Sequence, residues 1–148
     1  MRQICRAVML MLLVVSCEST GPSLSPEVRL AVQQAQWRQQ GIHDYSFDYA
    51  FSGAWVAPPP VRIVVIADTV RSATVIATGA QRPIAGMPTI DSVFAIVGQS
   101  IHSVMGQPVI EYDSKLGYPT SINTVSSLPP DAGFVISVRN LGQVALIL

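Results

Sequence analysis

Reactive side chains are scarce in this sequence. It has two cysteines and two histidines, and charged residues make up only 12% of it. Both cysteines, Cys5 and Cys17, fall in the first seventeen positions, so a chain cut before Cys17 and acylated on it keeps no thiol for a disulfide, a thiolate metal site or a cysteine nucleophile. No His-Glu-x-x-His pattern, no histidine pair at helical spacing and no glycine-rich phosphate loop is present. Gly98-Gln99-Ser100 lacks the last glycine of a nucleophile elbow and falls inside a helical pattern. Asp113-Ser114-Lys115 puts a cation where a calcium loop needs its second acid. His43, beside Asp44 and near Gly41, reads as a solvated loop residue, and His102 closes a helix whose C-terminal dipole favours it when protonated. Of the six aspartates, a pair such as Asp48 with Asp113 is the one acid–base arrangement left, and turn bonding and solvation account for most of them. The sequence therefore leads to no metal, no cofactor and no enzyme activity.

Charge excludes a further class. Two of the nine basic residues, Arg2 and Arg6, precede Cys17, whereas all nine acidic ones follow it, so the chain from Cys17 onward sums to about −2. Nucleic-acid binding needs a clustered basic face, and none is present.

What is present begins at the N-terminus. Arg2 and Arg6 flank the opening residues, Ala7 to Val15 is an unbroken apolar run too short to span a bilayer, and Val14-Val15-Ser16-Cys17 follows. An aliphatic residue three before a cysteine and a small one just before it make a bacterial lipobox. Residues 1–16 are thus expected to be a lipoprotein signal peptide, Cys17 the lipidation site and residues 17–24 a flexible tether. Several acyl chains would anchor the protein firmly where one would not. Glu18, rather than aspartate, after the cysteine favours the outer membrane, facing the periplasm.

Residues 25–148 read as one α+β domain. Ser25-Pro26 is an N-cap followed by proline at the first helical position, and Gly41 supplies the stop. Val28, Ala31, Val32 and Ala35 recur at helical spacing as its apolar stripe, and Trp37 is expected to anchor the helix on a sheet. Tyr45, Phe47, Tyr49 and Phe51 alternate with Ser46, Asp48, Ala50 and Ser52, the clearest period-two signal in the chain. Val61 to Ala67 and Val70 to Ala77 follow as strands, with Asp68-Thr69 as the turn between them. Thr89 caps a second helix with Ile90, Val93, Phe94, Val97 and Ile101 as its buried stripe. Val109 to Ile122 reads as a hairpin, and Phe134, Ile136 and Val138 alternate in a last strand that Gly142 is expected to break. The expected architecture is two helices packed on a mainly antiparallel sheet of about six strands, in the order α-β-β-β-α-β-β-β. Two α-β-β-β halves raise the idea of a duplication, although residue-level similarity between them is weak.

The hairpin is the most tightly specified stretch. Tyr112 and Tyr118 flank a polar turn, Asp113 and Ser114 can bond their own backbone, and Gly117 can take the φ > 0 position that closes it. Pro119 has no N–H to give, which points to an edge position for the return strand. The order W…DYSFDY, a hairpin, TIDSVF, EYDSKLGYPTSI and DAGF, all after a lipobox, resembles a family of small bacterial lipoproteins known only as a domain of unknown function. The resemblance covers Trp37 to Leu141. It rests on Tyr112, Asp113, Gly117, Tyr118 and Pro119, with Trp37, Tyr45 and Asp91 in support. Thr69 departs from it, standing where a turn glycine is usual, and the cysteine pair of some members is missing. The resemblance implies an envelope location and an α+β fold, and no activity.

Binding is the remaining class. Tyr112, Asp113, Tyr118 and Pro119 on the hairpin, with Trp55 after the aromatic strand, are the candidate contact residues, since tyrosine and tryptophan combine area with a polar tip. The competing reading packs the tyrosines as a cross-strand pair and leaves Trp55 to shield a loop. The expectation is a membrane-anchored, non-catalytic module that binds or scaffolds an envelope protein. The alternative is a small-molecule or lipid carrier, with the ladder from Tyr45 to Phe51 lining its pocket.

Overall fold

The structure, a computed structural model, describes residues 24–53, 57–103, 107–125 and 132–145. Cys17 and Trp55 lie outside the described residues. Local signals set the helix ends. In α1 (Pro26–Gln39) the Ser25 hydroxyl accepts the Val28 N–H, and Gly41 follows at φ +60°. In α2 (Ile90–Ile101) the Thr89 hydroxyl accepts the Ser92 N–H. Its stripe of Ile90, Val93, Phe94 and Val97 is fully buried.

Six strands complete the fold: β1 (Tyr45–Gly53), β2 (Val61–Ile66) and β3 (Thr69–Val75) before α2, then β4 (Val109–Tyr112), β5 (Pro119–Asn123) and β6 (Phe134–Gln143) after it. They form one sheet in the order β3-β2-β1-β6-β5-β4, antiparallel at every pairing. The class is α+β with two helices and a six-stranded antiparallel sheet, as the period-two and period-3.6 patterns require. Both helices pack on one face of the sheet, over a core that includes Trp37, Tyr45, Phe47, Ile63, Phe94 and Ile122. The first half of the chain meets the central seam through its first strand, the second half through its last. With β1 and β6 antiparallel and both helices on one side, no rotation superimposes the two halves, which removes the simplest form of duplication.

Four local expectations are corrected. The stripe Val28, Ala31, Val32 and Ala35 is exposed, and α1 turns Leu30, Gln33 and Trp37 inward instead. The β2–β3 turn is Ala67-Asp68, one residue earlier than expected, with φ of +48° and +59°. That backbone shape suits a two-residue hairpin loop. It is tied down because the Ala67 N–H donates to Asp44 Oδ1 at 2.7 Å and the Asp68 N–H to the His43 carbonyl. Next, β5 is an inner strand and β4 the edge. Pro119 is tolerated because it is the first residue of β5, at a bulge opposite Tyr112, and the β5–β6 ladder starts only at Ser121. Finally, Gly142 does not end β6. It pairs with Ser46, and the irregularity lies just before it, where β6 has one residue more than β1 between Ser46↔Gly142 and Asp48↔Arg139.

Candidate functional site

The hairpin motif is built as an internal fastening. Asp113 Oδ1 accepts the N–H groups of Lys115 (2.9 Å) and Leu116 (2.7 Å), while the Asp113 N–H donates to the Tyr118 carbonyl. Gly117 takes φ +83° and lies directly under α1. From α1, Gln36 Nε2 donates to the carbonyls of Lys115 (2.9 Å) and Ser114 (3.3 Å). The turn is thereby stitched to a helix nearly eighty residues earlier in the chain.

The aromatic rings continue that fastening. Trp37 meets Tyr118 edge-on at 6.2 Å and Tyr45 at 5.5 Å, and Tyr45 leans on Phe47 at 5.9 Å. The buried Tyr45 hydroxyl accepts the Ile90 N–H at the start of α2 (3.1 Å), and burial, followed by the nearby Asp91 and Asp68, pushes its pKa up to about 12. Tyr118 and Pro119 are buried, so they offer no area to a partner; of the two readings, core packing describes them. Asp113 is occupied by its own turn. Tyr112 is half-buried beneath the Arg29 guanidinium, 5.8 Å from the ring centre. Its hydroxyl is buried with no hydrogen-bond partner among the described residues. Trp55 and Cys17 have no described position.

The opposite face of the sheet carries a groove of about 480 Å³ that sequence reading missed. Ala50, Pro60, Ile76 and Ala77 form its apolar walls, and Asp48, Ser137, Arg139 and Asn140 are its polar lining residues. The β6 bulge shapes it. Asn140 takes φ +52°, a conformation asparagine tolerates better than most residues, and its side chain donates to Asp48 Oδ2 at 2.7 Å. Arg62 donates to the same carboxylate through Nε (2.7 Å) and Nη2 (3.0 Å). The Arg62 bonds foremost, and then Asn140, hold the Asp48 carboxyl below its usual range. Asp48 is thus committed to the wall, whereas Arg139 also lines the groove and, among the described residues, donates from Nε to Ser137 Oγ at 3.1 Å. Isolated from one another in sequence, these residues carry no motif that could have announced them.

Other reactive groups sit apart. His43 Nδ1 and Asp68 Oδ2 lie 2.8 Å apart on an exposed corner, next to a smaller cavity of about 230 Å³ shared with Trp37 and Asp91. The Ser100 hydroxyl donates to the Ile96 carbonyl within α2. Asp48 and Asp113 do not meet, since β1 and the β4–β5 turn are separated by intervening strands and each carboxylate has its own partners. No group of three or more His, Cys, Asp or Glu side chains able to hold a metal occurs among the described residues.

No curated protein matches the sequence. A family described only as "Family of unknown function (DUF6174)" matches residues 29–142, a span that runs from Arg29 in α1 to Gly142 in β6 and takes in β1 to β5, α2 and the groove.

Proposed function

The chain belongs to this family of unknown function, and from that starting point we propose that it is a lipid-anchored, non-catalytic binding module of the bacterial cell envelope, held by Cys17 in the outer membrane and facing the periplasm. The anchor rests on the lipobox Val14-Val15-Ser16-Cys17. The binding role rests on one observation: the groove between Ala50, Pro60, Ile76 and Arg139 on the helix-free face of the sheet. Its occupant is an apolar side chain of an envelope protein, with a neighbouring carboxylate or carbonyl meeting Arg139. Apolar walls supply area and the guanidinium supplies orientation, the division of labour found at protein contacts. A non-catalytic role is supported by where the reactive groups are spent, Ser100 on a helix carbonyl and Asp48 on three donors.

The groove's volume also falls in the range of small-molecule sites, and this favours a second reading as a carrier of a small amphipathic anion. That reading moves the carrier site from the aromatic ladder, where Tyr45 and Phe47 are core residues, to the outer face.

In-cell cross-linking followed by affinity recovery tests the proposal. The expected result is one stoichiometric envelope protein, lost in Ile76→Asp and in Arg139→Glu while the thermal melt of both variants is unchanged. Recovery unaffected by either substitution would refute the groove as the site. Native mass spectrometry of the purified protein separates the second reading, through an added small-molecule mass that Arg139→Glu abolishes. For the anchor, Cys17→Ser should accumulate unprocessed precursor, and unchanged processing with membrane retention would refute lipidation.

A further inference from the structure

The first helix is oriented the wrong way round for a helix whose outer side meets only water. Its inward side carries Gln33, Gln34 and Gln36 beside Leu30 and Trp37, and Gln33 Oε1 is buried with no hydrogen-bond partner among the described residues. Its outward side carries Val28, Ala31, Val32 and Ala35 at i, i+3, i+4 and i+7, one continuous stripe. Val28 and Val32 are each 48% exposed, and Leu24, just before the N-cap, is 59% exposed. No described element covers this stripe.

The position of α1 in the chain indicates what does. Leu24 follows Cys17 by seven residues, and even a fully extended chain of that length reaches only about 25 Å. An acylated Cys17 therefore keeps α1 beside the bilayer at high effective concentration, where a stripe too small to bind a membrane unaided is held to it. Arg38, exposed in the last turn of the same helix outside the stripe, adds a cation that anionic headgroups can meet. We propose that the outward face of α1, from Val28 to Ala35, lies on the headgroup–acyl boundary of the anchoring membrane. The groove, on the opposite face of the sheet, then points away from the lipid. This inference rests on the acylation of Cys17 in the proposed function.

The test uses the full chain in a bacterial host, with Ala31 replaced by photoreactive p-benzoylphenylalanine. The same replacement at Ser52, on the outer face of the sheet, is the control. After irradiation, mass spectrometry identifies what is joined to each site, and the intact mass of the same preparation reports the acyl chains on Cys17. The expected result is lipid acyl adducts at position 31 about tenfold above those at position 52. Val28→Asp combined with Val32→Asp should remove that excess, while the acyl chains and the melt stay as they were. Acylated protein with no lipid excess at position 31 would overturn the inference and leave the anchor standing. A cross-linked dimer at position 31 would assign the stripe to a second copy, and an adduct with another protein would assign it to a partner; either overturns membrane contact. Protein without acyl chains would overturn the anchor and this inference together.

Discussion

A β-carbon on Gly117 would lie 2.8 Å from the backbone carbonyl oxygen of Gln33. Hairpin turn and helix approach each other there more closely than any side chain permits. Gly41 has a comparable left-handed φ, +60° against +83°, but nothing within 4 Å of where its β-carbon would be. Gly117→Ala therefore adds a steric term to the backbone one, with an expected cost of about 2–4 kcal/mol against about 1 kcal/mol for Gly41→Ala. Denaturation of the two variants side by side measures the difference, and equal losses would show that the close approach contributes nothing.

Tyr45 joins β1 to α2 through its hydroxyl. Tyr45→Phe keeps the ring against Trp37 and Phe47 but strands the buried Ile90 N–H. The expected loss is about 1–3 kcal/mol, the range for an orphaned buried donor. Amide exchange at Ile90 should quicken with it. A variant as stable as the parent would mean that water takes over the hydroxyl's place.

The parts of the fold that were legible in the sequence are those fixed by near neighbours. Ser25, Thr89 and Gly41 mark helix ends because a cap is a contact within three or four residues. The ladder from Tyr45 to Phe51 marks its strand because alternation is local too. The inward face of α1 was not legible, since Gln36 is drawn in by carbonyls of Ser114 and Lys115 that hydropathy cannot weigh. Pro119 misled for a related reason. Proline does avoid ladder positions, but the bulge that exempts it depends on the pairing of β5 with β4 and β6. The groove is the extreme case, because Ala50, Pro60, Ile76 and Arg139 meet only once the sheet order is set.

Asn140 separates two effects at the β6 bulge. Asn140→Gly loses the bond to Asp48 but relieves the φ of +52°, whereas Asn140→Ala loses the bond and keeps the unfavourable φ. The alanine variant is expected to be the less stable by about 1 kcal/mol. Urea denaturation of both checks this, and the reverse ranking would show that the bulge relaxes when the amide is lost.

Asp48 gives the groove wall a pH dependence whose sign is set by its partners. The Arg62 bonds, and then Asn140, depress its carboxyl below the ordinary value of 3.8 in the folded protein. In the unfolded chain those partners are gone. A depressed folded pKa contributes stability that is fully present above the unfolded pKa and is lost as pH falls through the folded one. Asp48→Asn should therefore be less stable than the parent near neutrality, and the gap should narrow as pH falls below about 4. Glu27, whose carboxyl is also lowered, is common to both proteins and cancels in the comparison. Urea denaturation of parent and variant from neutral to acid pH measures the gap directly. A constant gap would mean that the asparagine loses packing or hydrogen bonds but that ionisation of Asp48 contributes nothing. A narrowing gap would identify the Asp48–Arg62–Asn140 cluster as what keeps that wall of the groove in place.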